Sequence, residues 1–210
     1  NFLAADSVTV SFQITTGQII TFGTLPTKTY GDPTFDLSAT ASSGLTVSFA
    51  LTTGSGTCSL TGVTVTILGA GSCSFTASQS GNDDYNLASD VPQTFTVNQA
   101  DQTITFATLA DKIFGDSGFD LIGSSSSSLG VSYVSSDETV ATVSGSTVTI
   151  VGAGSTTITA SQVGNTNYNA ASEVPQTLTV NQAGQSITFD ELSTVTFGDT
   201  DFDLTGSASS

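Results

Sequence analysis

Val91-Pro-Gln-Thr-Phe-Thr-Val-Asn-Gln-Ala-Asp-Gln-Thr-Ile-Thr-Phe106 returns almost letter for letter as Val174-Pro-Gln-Thr-Leu-Thr-Val-Asn-Gln-Ala-Gly-Gln-Ser-Ile-Thr-Phe189. Phe95 and Val97 alternate with threonines, and so do Ile104 and Phe106. Each side therefore has the period of a strand with one buried face. Only Asn98, Gln99, Ala100 and Asp101 lie between them, with Asn181 and Gln182 at the second occurrence. A connection that short, without a Gly-Ser run, is expected to be a stiff joint between folded units, not a loose tether.

Working outward, the repeat sets the unit of folding. Gln18-Ile-Ile-Thr-Phe22, Gln102-Thr-Ile-Thr-Phe106 and Gln185-Ser-Ile-Thr-Phe189 begin successive copies, 84 and then 83 residues apart. The spacing predicts Ig-like repeats over residues 18–101 and 102–184. Residues 1–17 read as the last strand of a preceding copy, since Leu3-Ala-Ala-Asp6 and Phe12-Gln-Ile14 match Leu87-Ala-Ser-Asp90 and Phe95-Thr-Val97. Residues 185–210 match the first third of a further copy. Partial copies of a repeat cannot bury their apolar faces alone, so the chain is expected to be a window on a longer one.

Within one copy, Ile20 and Phe22 give a first strand, and Leu25 to Asp32 a turn-rich crossing. Phe35, Leu37 and Ala39 give a second strand, then Val47, Phe49 and Leu51 a third, and Cys58 and Leu60 a fourth. Val63, Val65 and Ile67 form a fifth, Cys73, Phe75 and Ala77 a sixth, and Phe95 and Val97 the last. About seven short strands, alternating on one side and separated by Gly or Ser clusters without a helical period, predict tandem all-β, immunoglobulin-like antiparallel sandwiches. A parallel sheet needs strands apolar on both faces and helical crossovers, which are absent.

Charge excludes several functions. Lys28 and Lys112 are the only bases among 210 residues, histidine and arginine are absent, and eighteen acids leave a net charge of −16. Such a field repels nucleic acid and anionic membranes and attracts divalent cations. No apolar run is long enough to span a bilayer. Without histidine, and with acids scattered along turns, no nucleophile has an evident base, so an enzyme is not expected.

Cys58 and Cys73 sit fifteen apart in one copy where the next has Ala141 and Thr156. They read as a disulfide made in an oxidising compartment, against free buried thiols. The bridge joins two sheets or lies within one meander, and spacing alone leaves both open. Two cysteines without histidine make no ordinary zinc site.

The motif set Lys28-Thr-Tyr-Gly-Asp32, Lys112-Ile-Phe-Gly-Asp116, Val63-Thr-Val-Thr-Ile-Leu-Gly-Ala-Gly-Ser72, Val148-Thr-Ile-Val-Gly-Ala-Gly-Ser155 and Ala160-Ser-Gln-Val-Gly-Asn-Thr-Asn-Tyr-Asn-Ala170 resembles the MBG-type bacterial immunoglobulin-like repeat, named for its tyrosine-glycine pair. The resemblance implies a stalk module of large secreted or surface-anchored, adhesin-like bacterial proteins, often with a cysteine pair at the places of Cys58 and Cys73, and no shared catalytic residues. Phe114 and Phe197 depart from the expected tyrosine. The expected role is to space a binding domain from the cell, extracellularly at the cell surface. Its partners would be neighbouring repeats, with a host-surface or glycan ligand met through a domain outside this window. The alternatives are a self-assembling filament or sheath and a glycan-binding module.

The recurrent Gly-Asp-x-x-Phe-Asp-Leu places Asp32 with Asp36, Asp116 with Asp120 and Asp199 with Asp203, and the joint adds Asp101. Oxygen-rich groups of this kind suit calcium, which takes six to eight oxygen ligands. The opposing reading makes these acids turn caps or solvated strand faces. Asp199-x-Asp201-x-Asp203 starts like an EF-hand loop but lacks its glycine and closing glutamate. Tyr85 and Tyr168 read as amphipathic plugs, against a sugar-stacking platform.

Overall fold

The computed structural model describes residues 13–209. Most of the leading fragment, including Leu3, Asp6 and Phe12, therefore lies outside the described residues. The first copy runs β1 Ile20–Phe22, β2 Lys28–Thr29, β3 Phe35–Asp36, β4 Ala39–Ala41, β5 Ser48–Thr53, β6 Cys58–Thr61, β7 Thr64–Ile67, β8 Gly71–Ser78 and β9 Val91–Asn98. No helix occurs among the described residues.

One layer has the order β2-β9-β8-β5, and the other is built from β3-β7-β6 and the β1-β4 ladder. Alternation produces the layers directly. Along β8, Cys73, Phe75 and Ala77 are fully buried while Ser74, Thr76 and Ser78 turn outward. Phe22, Leu37, Val65, Phe95 and Val97 complete the interior. Phe95 carries much of the packing, with Phe35 edge-on at 5.5 Å and Phe75 stacked at 6.1 Å. This is the two-sheet immunoglobulin-like arrangement that one-sided alternation requires.

Two details depart from the sequence reading. The strand expected through Phe35, Leu37 and Ala39 divides, because β3 pairs with β7 while β4 turns to pair with β1. The crossing read as turn contains β2, which runs parallel to β9 with Lys28 opposite Val97 and Thr29 opposite Asn98. Two residues carry no period, so this strand left no pattern to read.

Cys58 lies on β6 and Cys73 on β8, so their disulfide joins the two layers, with the Cα atoms 6.3 Å apart. Of the two alternatives the sequence left open, the bridge between sheets is the one found. The chain has no free cysteine among the described residues.

The second copy repeats this plan: β10 Ile104–Phe106, β11 Lys112–Ile113, β12 Phe119–Asp120, β13 Gly123–Ser125, β14 Ser132–Ser135, β15 Ala141–Ser144, β16 Thr147–Ile150, β17 Gly154–Ser161 and β18 Val174–Asn181. Its layers are β11-β18-β17-β14 opposite β12-β16-β15 with β10-β13. Ile158 and Leu178 fill the places of Phe75 and Phe95. A hydrogen-bonded cluster replaces the disulfide. The buried Thr156 hydroxyl accepts from the Asp137 amide at 2.9 Å and lies 2.8 Å from the Ser135 hydroxyl. The Asp137 carboxylate accepts from the Thr139 hydroxyl and from the Thr139 amide, and these bonds hold its pKa below the ordinary carboxylate value.

Both lysines of the chain serve one purpose. Lys28 Nζ sits 4.9 Å from the centre of the Phe35 ring and Lys112 Nζ 4.7 Å from that of Phe119. Each cation thus covers an aromatic face at the sandwich edge. After the second copy, β19 Ile187–Phe189 pairs antiparallel with β20 Gly206–Ala208, and Phe189, Phe197, Phe202 and Leu204 are exposed.

The compact units do not part at one point in the sequence. One consists of the chain up to Gln102 together with Val163–Ala171, and the other of Thr103–Gln162 with the chain from Ser172. The excursion Val163–Ala171 leaves the second copy between β17 and β18 and packs within the first unit.

Candidate functional site

That excursion holds the Gly-Asn-x-x-Tyr-Asn motif, and its shape follows from two residues. Gly164 has φ +79°, a region that side chains disfavour, and a Cβ there would stand 2.3 Å from the Tyr168 carbonyl oxygen. Asn165 Oδ1 accepts from the amides of Asn167 at 2.8 Å and Tyr168 at 3.0 Å, closing an Asx turn. The Asn165 amide in turn donates to the Tyr168 carbonyl. The first copy builds the same corner from Gly81, with φ +78°, and Asn82, whose Oδ1 takes the amides of Asp84 and Tyr85.

Such a corner presents its fourth and fifth residues outward, and in the first unit they meet a seat. Asn167 Oδ1 accepts from the Ala70 amide at 2.9 Å. Gly69 permits this approach, since a Cβ there would be 3.1 Å from the same oxygen. The Tyr168 ring stands edge-on to Tyr30, with centroids 5.4 Å apart. The Ala100 amide donates to the Asn167 carbonyl, and the Asn169 amide to the Ala100 carbonyl, both at 2.9 Å, making a one-step parallel bridge.

Joint residues identified from the sequence close the contact. Gln99 Nε2 donates to the Asn165 carbonyl at 2.6 Å, Asn169 Nδ2 to Asp101 Oδ1 at 2.8 Å, and Gln102 Nε2 to the Asn169 carbonyl at 2.7 Å. Asn98 contributes its carbonyl, which accepts from the Tyr30 backbone amide at 2.9 Å. The corner of the first copy engages the leading segment in the same manner, as Thr16 donates to the Asp84 carbonyl and accepts from the Asn86 amide. Tyr85 and Tyr168 are half-buried, and it is their backbone that does the bonding.

Five of the acids singled out for calcium, Asp32, Asp36, Asp116, Asp120 and Asp199, have hydrogen-bond partners within their own copy. Asp32 Oδ2 accepts from the Thr29 amide, Asp116 Oδ2 from the Ile113 amide and Asp199 Oδ2 from the Thr196 amide, at 2.9, 2.9 and 2.7 Å. Asp36 and Asp120 accept from the Thr64 and Thr147 hydroxyls across the β3-β7 and β12-β16 ladders. Asp203 is exposed. Among the described residues no three acidic, cysteine or histidine side chains gather into a set that could hold a metal ion. Turn capping and cross-strand bonding are the roles on view.

Asn181 and Gln182 occupy the corresponding place after the second copy, where the Asn181 carbonyl accepts from the Phe114 amide at 2.8 Å. The sequence reading gave no contact role to Tyr30, Gly69 or Ala70, and named Ala100 only as part of the joint. Their signal was the recurrence of Gly-Ala-Gly and Gly-Asn-x-x-Tyr-Asn in both copies, which local turn chemistry explained only in part.

The fold thus defines a class: tandem immunoglobulin-like β-sandwich repeats. No family model and no curated protein matches the sequence. Among solved structures the chain is similar to the mouse cadherin-23 EC22-24 fragment, at 11% identity over 80% of this chain and 65% of that one, with a TM-score of 0.33. It is also similar to domains 1-6 of the surface layer protein SbsC, at 19% identity over 81% of this chain and 29% of that one, with a TM-score of 0.35. Drosophila N-cadherin EC1-3 matches at 8% identity over 80% and 68%, with a TM-score of 0.32. Likeness at this level carries no function across.

Proposed function

We propose that this chain is a run of structural repeats in a large extracellular bacterial surface protein, adhesin-like in kind, whose work is to space a binding domain from the cell. One observation carries the reading: the first unit is completed by a corner loop of the second copy, through Tyr30, Ala70, Ala100 and Asp101. The MBG-type motif set, the inter-sheet disulfide and the acid-rich surface support an oxidising, extracellular setting. Among the described residues no helix is long and apolar enough to cross a membrane. The absence of histidine and the lack of any paired nucleophile and base support a non-enzymatic role.

The test is antibody labelling of unpermeabilised cells that make the parent protein, together with thiol trapping of Cys58 and Cys73 from those cells. Surface labelling and blocked thiols are expected. An intracellular, reduced protein would overturn the reading.

Calcium belongs to the proposal only as a stiffener of the joint through Asp101 or the paired acids. The bonding of Asp32, Asp36, Asp116 and Asp120 within their own copies leads to the expectation that a chelator shifts no melting transition. A fall of several degrees on chelation, restored by calcium, would establish such a site.

A further inference from the structure

The seat exists twice in the chain and is filled once. In the second unit Phe114 stands where Tyr30 does, Gly152-Ala153 where Gly69-Ala70 do, and Gln182-Ala183 where Gln99-Ala100 do. These residues line an open groove of about 550 Å³. Exposure tracks the difference. Gly69 is buried and Ala70 half-buried beneath Asn167, whereas Gly152 is half-buried and Ala153 exposed. Ala183 and Gln185 are exposed where Ala100 is half-buried and Gln102 is 6% exposed. Leu68 and Val151, which no loop covers in either copy, are equally exposed at 48% and 46%, so the contrast belongs to the seat itself.

We propose that the groove formed by Phe114, Gly152, Ala153, Gln182 and Ala183 is a docking seat for the Gly-Asn-x-x-Tyr-Asn corner of a further copy of this repeat, one that begins at Gln185. The filled seat specifies the contacts. The residue before the corner tyrosine, an asparagine or aspartate, accepts from the Ala153 amide, and Gly152 leaves room for it. The tyrosine ring meets Phe114, whose 49% exposed ring offers the same face as Tyr30 without the hydroxyl. The corner backbone bridges Ala183. This explains an exposed aromatic at the sandwich end, and why the repeat keeps Gly-Ala-Gly where many turn sequences would serve. The inference rests on the copies being consecutive repeats and is independent of whether they act as a spacer.

The test compares the 210-residue chain with the same chain followed by a second occurrence of residues 128–184, which completes the third copy. Amide exchange is read at Ala70, Ala153 and Ala183. In the shorter chain Ala70 is expected to exchange at least tenfold more slowly than Ala153. In the longer chain Ala153 and Ala183 are expected to slow by at least tenfold, and changing the added corner's counterpart of Asn167 to alanine should return Ala153 to fast exchange while the third copy stays folded by its own amide protection. Unchanged exchange at Ala153 beside a folded third copy overturns the proposal. So does slowing of Ala153 in the 210-residue chain as its concentration is raised, which would make a second chain the occupant. Neither result bears on surface labelling of cells, so failure here and failure of the spacer reading are distinct.

Discussion

Reducing the Cys58–Cys73 disulfide is expected to lower the stability of the first copy by about 3 kcal/mol and to leave the second copy unchanged. The figure follows from the chain entropy that a bridge over a fifteen-residue separation removes from the unfolded state. Both sulfurs lie fully buried between the layers, so the reduced thiols stay in an apolar setting and add little further cost. Calorimetry with and without reductant reads the effect, as one transition moving and the other holding still. Transplanting the second copy's residues is expected not to help. In C58A/C73T the new hydroxyl would be buried beside Gly54, which stands where Asp137 does, but Leu51 takes the place of Ser135, so the hydroxyl that partners Thr156 has no counterpart. C58A/C73T should therefore melt below C58A/C73A, by an amount on the order of 1 kcal/mol for the missing hydroxyl partner. Coincident melting of oxidised and reduced protein would show that the cross-link is not what stabilises this copy.

The two copies show why the strands were legible and the junction was not. Phe75 and Ile158 differ in shape, yet each sits in an alternating run, and alternation is all a one-faced strand needs to declare itself. The parallel β2 has two residues and is defined by hydrogen bonds to β9 almost seventy residues away, so no local pattern could mark it. The seat is harder still. Its bonds go largely to the backbone of Ala70 and Ala100, and any residue supplies an amide and a carbonyl. Gly69, Gly164 and the asparagines leave a trace in residue type, but each also fits an ordinary turn. The calcium reading rests on proximity in sequence, which is a different thing from convergence in space: Asp32 and Asp36 are four apart, but one caps a turn and the other bonds across a strand pair.

Substituting Gly123 by alanine is expected to destabilise the second copy, and the same substitution beside Tyr133→Phe is expected to be harmless. A Cβ at Gly123 would lie 2.5 Å from the Tyr133 hydroxyl oxygen and 3.4 Å from two ring carbons. The ring has little freedom to retreat, because it packs tilted against Phe106 with centroids 5.3 Å apart. Overpacking of this kind costs about 1–3 kcal/mol. The first copy supplies the solution in its own sequence, with Ala39 at the position of Gly123 and Phe49 at that of Tyr133. Phe49 keeps the same 5.3 Å relation to Phe22, so the aromatic pair survives the exchange. Removing the hydroxyl removes the clash, and alanine then stiffens the unfolded chain relative to glycine, so G123A/Y133F should equal or exceed the parent by about 0.5 kcal/mol. A double-mutant cycle by urea denaturation measures the coupling, expected at about 1–3 kcal/mol in favour of the matched pairs. Additive effects would mean that the glycine and the tyrosine hydroxyl are not matched to one another.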